Sequence, residues 1–258
     1  MIGVCNHYDG ELPLLISVPH DGVHIPVDIS ARMTPAGLAV PDTDWHVAEL
    51  YDFARDLGAS LLIANYSRYV VDLNRSASDD VLYPGQVATG LCPEQTFAGD
   101  GIYVEGGVSD EERSERVEQY WRPYHEQLAA MLQAKREKHG YALLWDAHSI
   151  PSVVPRLFDG ELPELNIGTN NGSSCDAARQ SKVIAAAEAG PFSVAVNGRF
   201  KGGYITRHYG VPDSGIHAIQ LEIAQRAYMD EASTVFDAGK AARLRETLRL
   251  MLSAFSDR

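Results

Sequence analysis

A chain of 258 residues, 45% of them hydrophobic, is long enough to bury a large core, and we expect one domain spanning residues 1–258. Its formal charge of -13 argues against a nucleic-acid binder or a membrane-surface protein, because either needs a basic face. Cys5, Cys92 and Cys175 are odd in number, far apart and without a CxxC pair, so neither a disulfide framework nor a cysteine zinc site is indicated and a reducing compartment fits best. The N-terminal stretch MIGVCNHYDGELPLL has no basic leader before a long apolar run, and no apolar run reaches the length of a spanning helix, which predicts a cytoplasmic protein. No sequence feature specifies an oligomeric state.

In chain order, LLISV (14–18) predicts a first strand and 45–57 a helix, followed by strands at SLLIA (60–64) and YVVDL (69–73). Residues 76–107 are rich in Gly, Pro, Asp and Ser and read as a long surface excursion of the kind that covers active sites. A long helix is predicted over 110–138, its start marked by SDEE (109–112), which resembles a capping box with acids in the first turn. Strands follow at YALLW (141–145) and ELNIG (164–168), a turn at NNGSS (170–174), a helix over 174–189 and a strand at FSVAV (192–196). The glycine-bearing loop RFKGGYITRHYG (199–210), the strand HAIQLEI (217–223) and a helix over 235–256 complete the chain. This alternation predicts an α/β domain with a mixed, mostly parallel sheet flanked by helices.

Four predicted strands end in reactive groups: His20, Asp21 and His24; Asp72, Asn74 and Arg75; Asp146, His148 and Ser149; Glu222 and Arg226. In open α/β sheets the carboxyl ends of strands line the ligand crevice, so these groups can converge there. Two imidazoles and a carboxylate make a zinc site with an open position for water, while a separate carboxylate takes the proton, and hydrolysis is the reaction that follows. The spacing is not HExxH, so one helix does not carry the ligands. Each residue also has a plainer role available. His20 fits a turn, Asp44 fits a helix cap, and Glu222, costly to bury unpaired, fits a salt bridge to Arg226. Arg75 directly follows an apolar run, where its fork can bind a carboxylate, and in so acidic a chain a dianionic ligand needs such local cations. His7, His125 and His139 look like surface residues; Tyr204, His208 and His217 are further candidates for substrate contact, although a histidine or tyrosine near a loop is more often satisfied structure.

Together SVPHDGVHIP, PDTDWHVAELYDFARDLGAS, SRYVVDLNRS, WDAHSIPS, NIGTNNGSSC and GGYITRHYGVP, followed by HAIQLEIAQRAYMDE, resemble the N-formylglutamate amidohydrolase family over residues 10–230. DLNR alone is only moderately specific, whereas the ordered set is strongly so. The resemblance implies a zinc-carboxypeptidase/phosphorylase-hydrolase-like fold, one Zn2+ per chain, and hydrolysis of N-formyl-L-glutamate to L-glutamate and formate in histidine degradation. By the looser order seen in carboxypeptidases, it implies His20, Asp44 and His148 as metal ligands, Asn74 and Arg75 on a substrate carboxylate, and Glu222 as general base. Arg68 and Arg207 are candidates for the second substrate carboxylate, and Asp146 for the hydrogen bond that fixes a ligand imidazole. Those enzymes carry a glutamate three residues after the first histidine, where this chain has Val23, so the carboxylate ligand must come from elsewhere. Asp42 and His46 are alternatives to Asp44, and His24 to a histidine ligand. Rival functions are hydrolysis of another N-formyl or N-acyl amino acid, such as N-formylaspartate, and non-catalytic binding of a dicarboxylate.

Overall fold

The computed structural model describes residues 2–80 and 89–257. Seven short segments, β1 (Cys5–Tyr8), β2 (Leu14–Val18), β3 (Ser60–Ala64), β4 (Ala142–Ile150), β5 (Leu165–Gly168), β6 (Val194–Val196) and β7 (Ile216–Ala224), form one sheet in the order β1-β3-β2-β4-β7-β5-β6. The central four, β3, β2, β4 and β7, run parallel; β1 is antiparallel to β3, and β5, parallel to β6, is antiparallel to β7. A hairpin of β8 (Met229–Asp230) and β9 (Val235–Phe236) lies apart from it. The helices are α1 (Val27–Ser30), α2 (Pro35–Leu38), α3 (Val47–Leu50), α4 (Asp110–Arg116), α5 (Arg122–His139), α6 (Ala177–Glu188), α7 (Tyr204–Tyr209) and α8 (Ala238–Ser256).

Central parallel strands are covered on both faces, so they read as continuous apolar runs. Leu14, Ile16 and Val18 of β2 pack in the layer with α6 and α8, while Leu15 enters the opposite layer with α5. In β4, Leu143, Trp145 and Ala147 face α6 and α8, and Ala142 and Leu144 face α5. Period-two alternation then puts Asp146 and His148 on the α5 side, and in β7 it does the same for Gln220 and Glu222, which continue the row begun by Ala218. The parallel register pairs Asp146 with Gln220 and His148 with Glu222, so four polar side chains form two adjacent rows at the carboxyl ends of β4 and β7.

Several elements differ from the sequence reading. YVVDL (69–73) is turn and coil, not strand. Its apolar residues are buried beneath the α5 layer, but its backbone bonds go elsewhere: Val70 N to Ser67 O, Asp72 N to Leu91 O, and Arg116 Nη1 to Val70 O. The helix predicted over 45–57 shrinks to α3 and a 3-10 turn at Asp52–Ala54: His46 at φ 63° delays the start to Val47, and Tyr51 at φ -93° and ψ 6° leaves the α-helical conformation after Leu50. The helix predicted over 110–138 forms with its Ser109 cap accepting from Glu112 N, but a π-helical turn, Val117–Trp121, interrupts it. The last helix begins at Ala238, capped by Asp237, and its predicted first residues form β9 instead. YALLW extends to Ile150, so Asp146 and His148 belong to the strand itself. RFKGGYITRHYG contains helix α7, and β1 is an edge strand that its half-polar CNHY did not announce.

Candidate metal centre and active-site pocket

His20 follows β2, Asp44 precedes α3, and His148 stands in β4, yet they converge: the backbone N–H of Asp44 donates to His20 O at 3.0 Å, and that of Ser149 to Asp44 Oδ2 at 3.1 Å. All three are buried. Asp44 Oδ2 lies 3.1 Å from His148 Nδ1 and 3.7 Å from His20 Nδ1, with the ring centroids 4.9 Å apart. Each ring turns its other nitrogen to a buried carboxylate, His20 Nε2 to Asp72 Oδ1 at 2.8 Å and His148 Nε2 to Asp146 Oδ1 at 3.0 Å. An Nε2–H donated to a carboxylate leaves the Nδ1 lone pair free, and both Nδ1 atoms face the same anionic oxygen. His20 Nδ1 has no hydrogen-bond partner among the described residues. Lone pairs and a carboxylate gathered in a dry site repel unless a cation or a proton sits between them, so the donor set is compatible with a divalent metal.

The surrounding charges support the same reading. Burial opposes ionisation of Asp44, but its interactions with the His148 and His20 imidazoles outweigh it and hold the carboxyl below the usual range. Burial likewise opposes a charged His148, yet the Asp146 carboxylate raises its pKa well above the ordinary value, so protons and a metal ion compete for the site. Across the register, burial pushes the Glu222 carboxyl up to about 8, opposed by His148 and reinforced by Asp44. Gln220 Nε2 donates to Glu222 Oε2 at 3.2 Å while its Oε1 accepts from Gly203 N at 2.7 Å.

A pocket opens over these groups, walled also by Arg68, Asp72, Asn74, Arg75, Thr89, Phe97, Ile150, Leu157, Arg199 and Phe200. A model of the N-formylglutamate amidohydrolase family matches residues 12–229. The chain belongs to that family. It is 52% identical to an N-formylglutamate deformylase of Pseudomonas putida over 230 residues, 88% of this chain and 86% of that protein. It is 51% identical to one of Pseudomonas aeruginosa over 250 residues, 95% of this chain and 93% of that protein. A crystal structure of N-formylglutamate amidohydrolase from Ralstonia eutropha JMP134 shares the fold, with a TM-score of 0.84 at 24% identity, covering 98% of this chain and 97% of that one. The chain is thus a hydrolase of the amidohydrolase type.

Among the residues singled out from sequence, the amidohydrolase brings His20, Asp44, Asn74, Arg68, Arg75, His148 and Glu222 to one pocket. Asn74 is held tightly: its Oδ1 accepts from Ile205 N at 2.8 Å, and its Nδ2 lies 2.9 Å from His148 Nε2 and 3.5 Å from Asp146 Oδ2. Arg68 is committed to the acids, donating to Asp72 Oδ2 at 2.9 Å and to Asp44 Oδ1 at 3.4 Å. Arg75 donates through Nε to Thr89 O at 2.8 Å, and its own carbonyl accepts from Trp121 Nε1, which the π-helical turn presents. Arg207, whose Nε donates to Gly202 O, is not among the lining residues of this pocket. The alternative ligands lie outside the triad. Asp42 accepts from Tyr69 Oη and Phe97 N, His46 Nε2 pairs with Thr234 O, and His24 packs on Tyr66. Arg226 pairs with Glu161 rather than Glu222. Thr89 and Phe97 come from the 76–107 excursion, of which 81–88 lie outside the described residues.

Sequence reasoning passed over Gln220 and Arg199, and it placed His125 on the surface. His125 is buried, bonded to Leu73 O and Tyr209 Oη and stacked on Trp121. Alternation in HAIQLEI carried a signal for Gln220, two residues before Glu222; nothing marked Arg199, which stands in a loop. A second group, Cys175, Asp176 and His217, also gathers metal-type donors. There Asp176 already caps α6 and pairs with Arg179, its N–H donates to His217 Nδ1, and burial pushes the Cys175 thiol up to about 12.

Proposed function

We propose that this chain is a zinc-dependent N-formylglutamate deformylase, converting N-formyl-L-glutamate and water to L-glutamate and formate. The names of the Pseudomonas relatives support the reaction. Within the molecule, one observation carries the metal: two buried imidazoles, each with Nε2 on a carboxylate, turn Nδ1 toward a single third carboxylate. His20, Asp44 and His148 would hold the zinc. When bound, zinc supplies Lewis acidity that brings the pKa of water to about 7 and polarises a carbonyl oxygen.

The chain supplies the rest. Asp72 and Asp146 fix the tautomers and orientation of the two imidazoles. Glu222 accepts the proton that water loses as its oxygen adds to the formyl carbon, and returns it to the amide nitrogen as the C–N bond breaks. Burial raises the Glu222 carboxyl, which favours holding the proton through the second half of this cycle, and a cation held by the triad would favour the carboxylate that the first half requires. Gln220 keeps one Glu222 oxygen in place. Arg75, its guanidinium preset by Thr89, binds a substrate carboxylate, and Phe97 and Phe200 add apolar wall to the pocket. We place the reaction in histidine degradation and in the cytoplasm; the cysteines are free thiols, the state that a reducing compartment maintains.

The test follows formate release from N-formylglutamate before chelation, after complete metal removal, and with zinc restored. Loss and recovery of turnover are expected. A metal-free protein of undiminished rate overturns the mechanism, and faster turnover of N-formylaspartate or another acylated amino acid in a panel overturns the substrate.

A further inference from the structure

The proposed substrate has two carboxylates, one beside the scissile amide and one at the end of a two-methylene side chain. Three arginines wall the pocket: Arg68, Arg75 and Arg199. Arg68 already donates to Asp44 and Asp72, so its charge is matched to the acids around the imidazoles. Arg75 and Arg199 share a different mode of anchorage, each donating through Nε to a backbone carbonyl, Thr89 O at 2.8 Å and Leu157 O at 2.9 Å. Fixing a guanidinium through Nε presets its plane, so less rotamer freedom is lost when the Nη edge meets a carboxylate.

Their places in the fold differ. Arg75 is one residue from Asn74 and three from Asp72, both of which touch a triad imidazole. Arg199 follows β6, which lies two strand positions beyond β7, or roughly 10 Å farther along the sheet. Its guanidinium carbon lies 5.5 Å from the centroid of the Phe200 ring, and Phe200 and Leu157 add apolar wall to the same pocket.

Resting on the proposed deformylase reading, we infer that Arg199 binds the side-chain carboxylate of the substrate and thereby selects an N-formyl amino acid with a terminal acid. Arg75 takes the α-carboxylate, which only the nitrogen and Cα separate from the formyl carbon. In an acidic protein of net charge -13, this second cation is what admits a dianion rather than a monoanion.

The experiment compares N-formyl-L-glutamate with N-formyl-L-norvaline, whose side chain has similar length and no carboxylate, in wild type, Arg199→Met and Arg199→Lys. For Arg199→Met, kcat/KM on N-formylglutamate should fall about 10–100-fold, mainly through KM, while N-formylnorvaline stays within about threefold. Arg199→Lys should lie between. Turnover of N-formylnorvaline reports an intact fold and metal centre. An equal loss on both substrates, or none on either, overturns the role of Arg199 while leaving the deformylase reading standing. A wild-type protein without turnover of N-formylglutamate overturns that reading, and this inference with it.

Discussion

Gly203 offers a steric test of how the centre is supported. Its backbone, at φ -85° and ψ -163°, is open to any residue, so alanine there brings no conformational strain. The added Cβ would stand 2.4 Å from Asn74 Nδ2 and 2.5 Å from its Cγ and Oδ1, about 1 Å inside normal contact. Asn74 cannot simply turn away, because Ile205 N holds its Oδ1 and His148 Nε2 lies against its Nδ2. Either the α7 entry shifts or the amide is driven off His148. Overpacking of this kind costs about 1–3 kcal/mol, which for a chain of this size lowers Tm by roughly 2–12 °C. Displacement of Asn74, whose Nδ2 donates to Asp146 Oδ2, would disturb the carboxylate that accepts from His148 Nε2–H and should reduce formate release about 10–100-fold at saturating zinc. Thermal unfolding and the formate assay read the two effects, and Gly203→Ala with Asn74→Ala should cost less stability than the sum of the single changes. Wild-type Tm and activity in Gly203→Ala, or strict additivity in the pair, would refute the reasoning.

Other substitutions probe separate groups. Glu222→Gln should cut kcat about 100–10,000-fold with zinc content unchanged; loss of zinc instead would make Glu222 a ligand. Asp146→Asn replaces the charged acceptor of His148 Nε2–H by a neutral amide and should weaken zinc binding about 10–100-fold in a chelator competition, and unaltered affinity would contradict the role given to that carboxylate. Arg75→Met should raise KM for N-formylglutamate far more than it lowers kcat, and the opposite split would argue against carboxylate binding. Burial lowers the His125 pKa from 6.5 to about 3, opposed only in part by its bond to Leu73 O. Between those values the unfolded chain takes up a proton that the folded chain refuses, so stability is full above 6.5 and falls as pH drops, by about 3 kcal/mol at pH 4 from this group alone. Urea unfolding at pH 7 and pH 4 should therefore show a smaller acid loss in His125→Gln than in wild type; equal losses would show that His125 titrates normally.

The parallel core of the sheet could be read from sequence because LLISV, SLLIA, YALLW and HAIQLEI are short apolar runs bounded by turns, and burial on both faces demands that pattern. YVVDL carries the same pattern for another reason. Its side chains fill the α5 layer while its backbone bonds to Ser67 and Leu91, partners that local pattern cannot reveal. The gathering of His148 and Glu222 follows from alternation and register, which sequence contains in part, and His20 joins them from the bend just past β2. The preference for Asp44 over Asp42 does not, since it turns on which carboxylate Tyr69 Oη and Phe97 N have already taken. Arg199 and Arg207 stand in the same glycine-bearing segment, and only the path of the chain after β6 decides which one meets the pocket.

X-ray absorption at the zinc edge of the reconstituted protein tests the metal centre most directly. The account predicts one zinc per chain, with nitrogen and oxygen neighbours at about 2.0–2.1 Å and no sulfur. A sulfur shell near about 2.3 Å would move the metal to Cys175, and failure to bind zinc stoichiometrically would leave His20, Asp44 and His148 without the ion on which the chemistry depends.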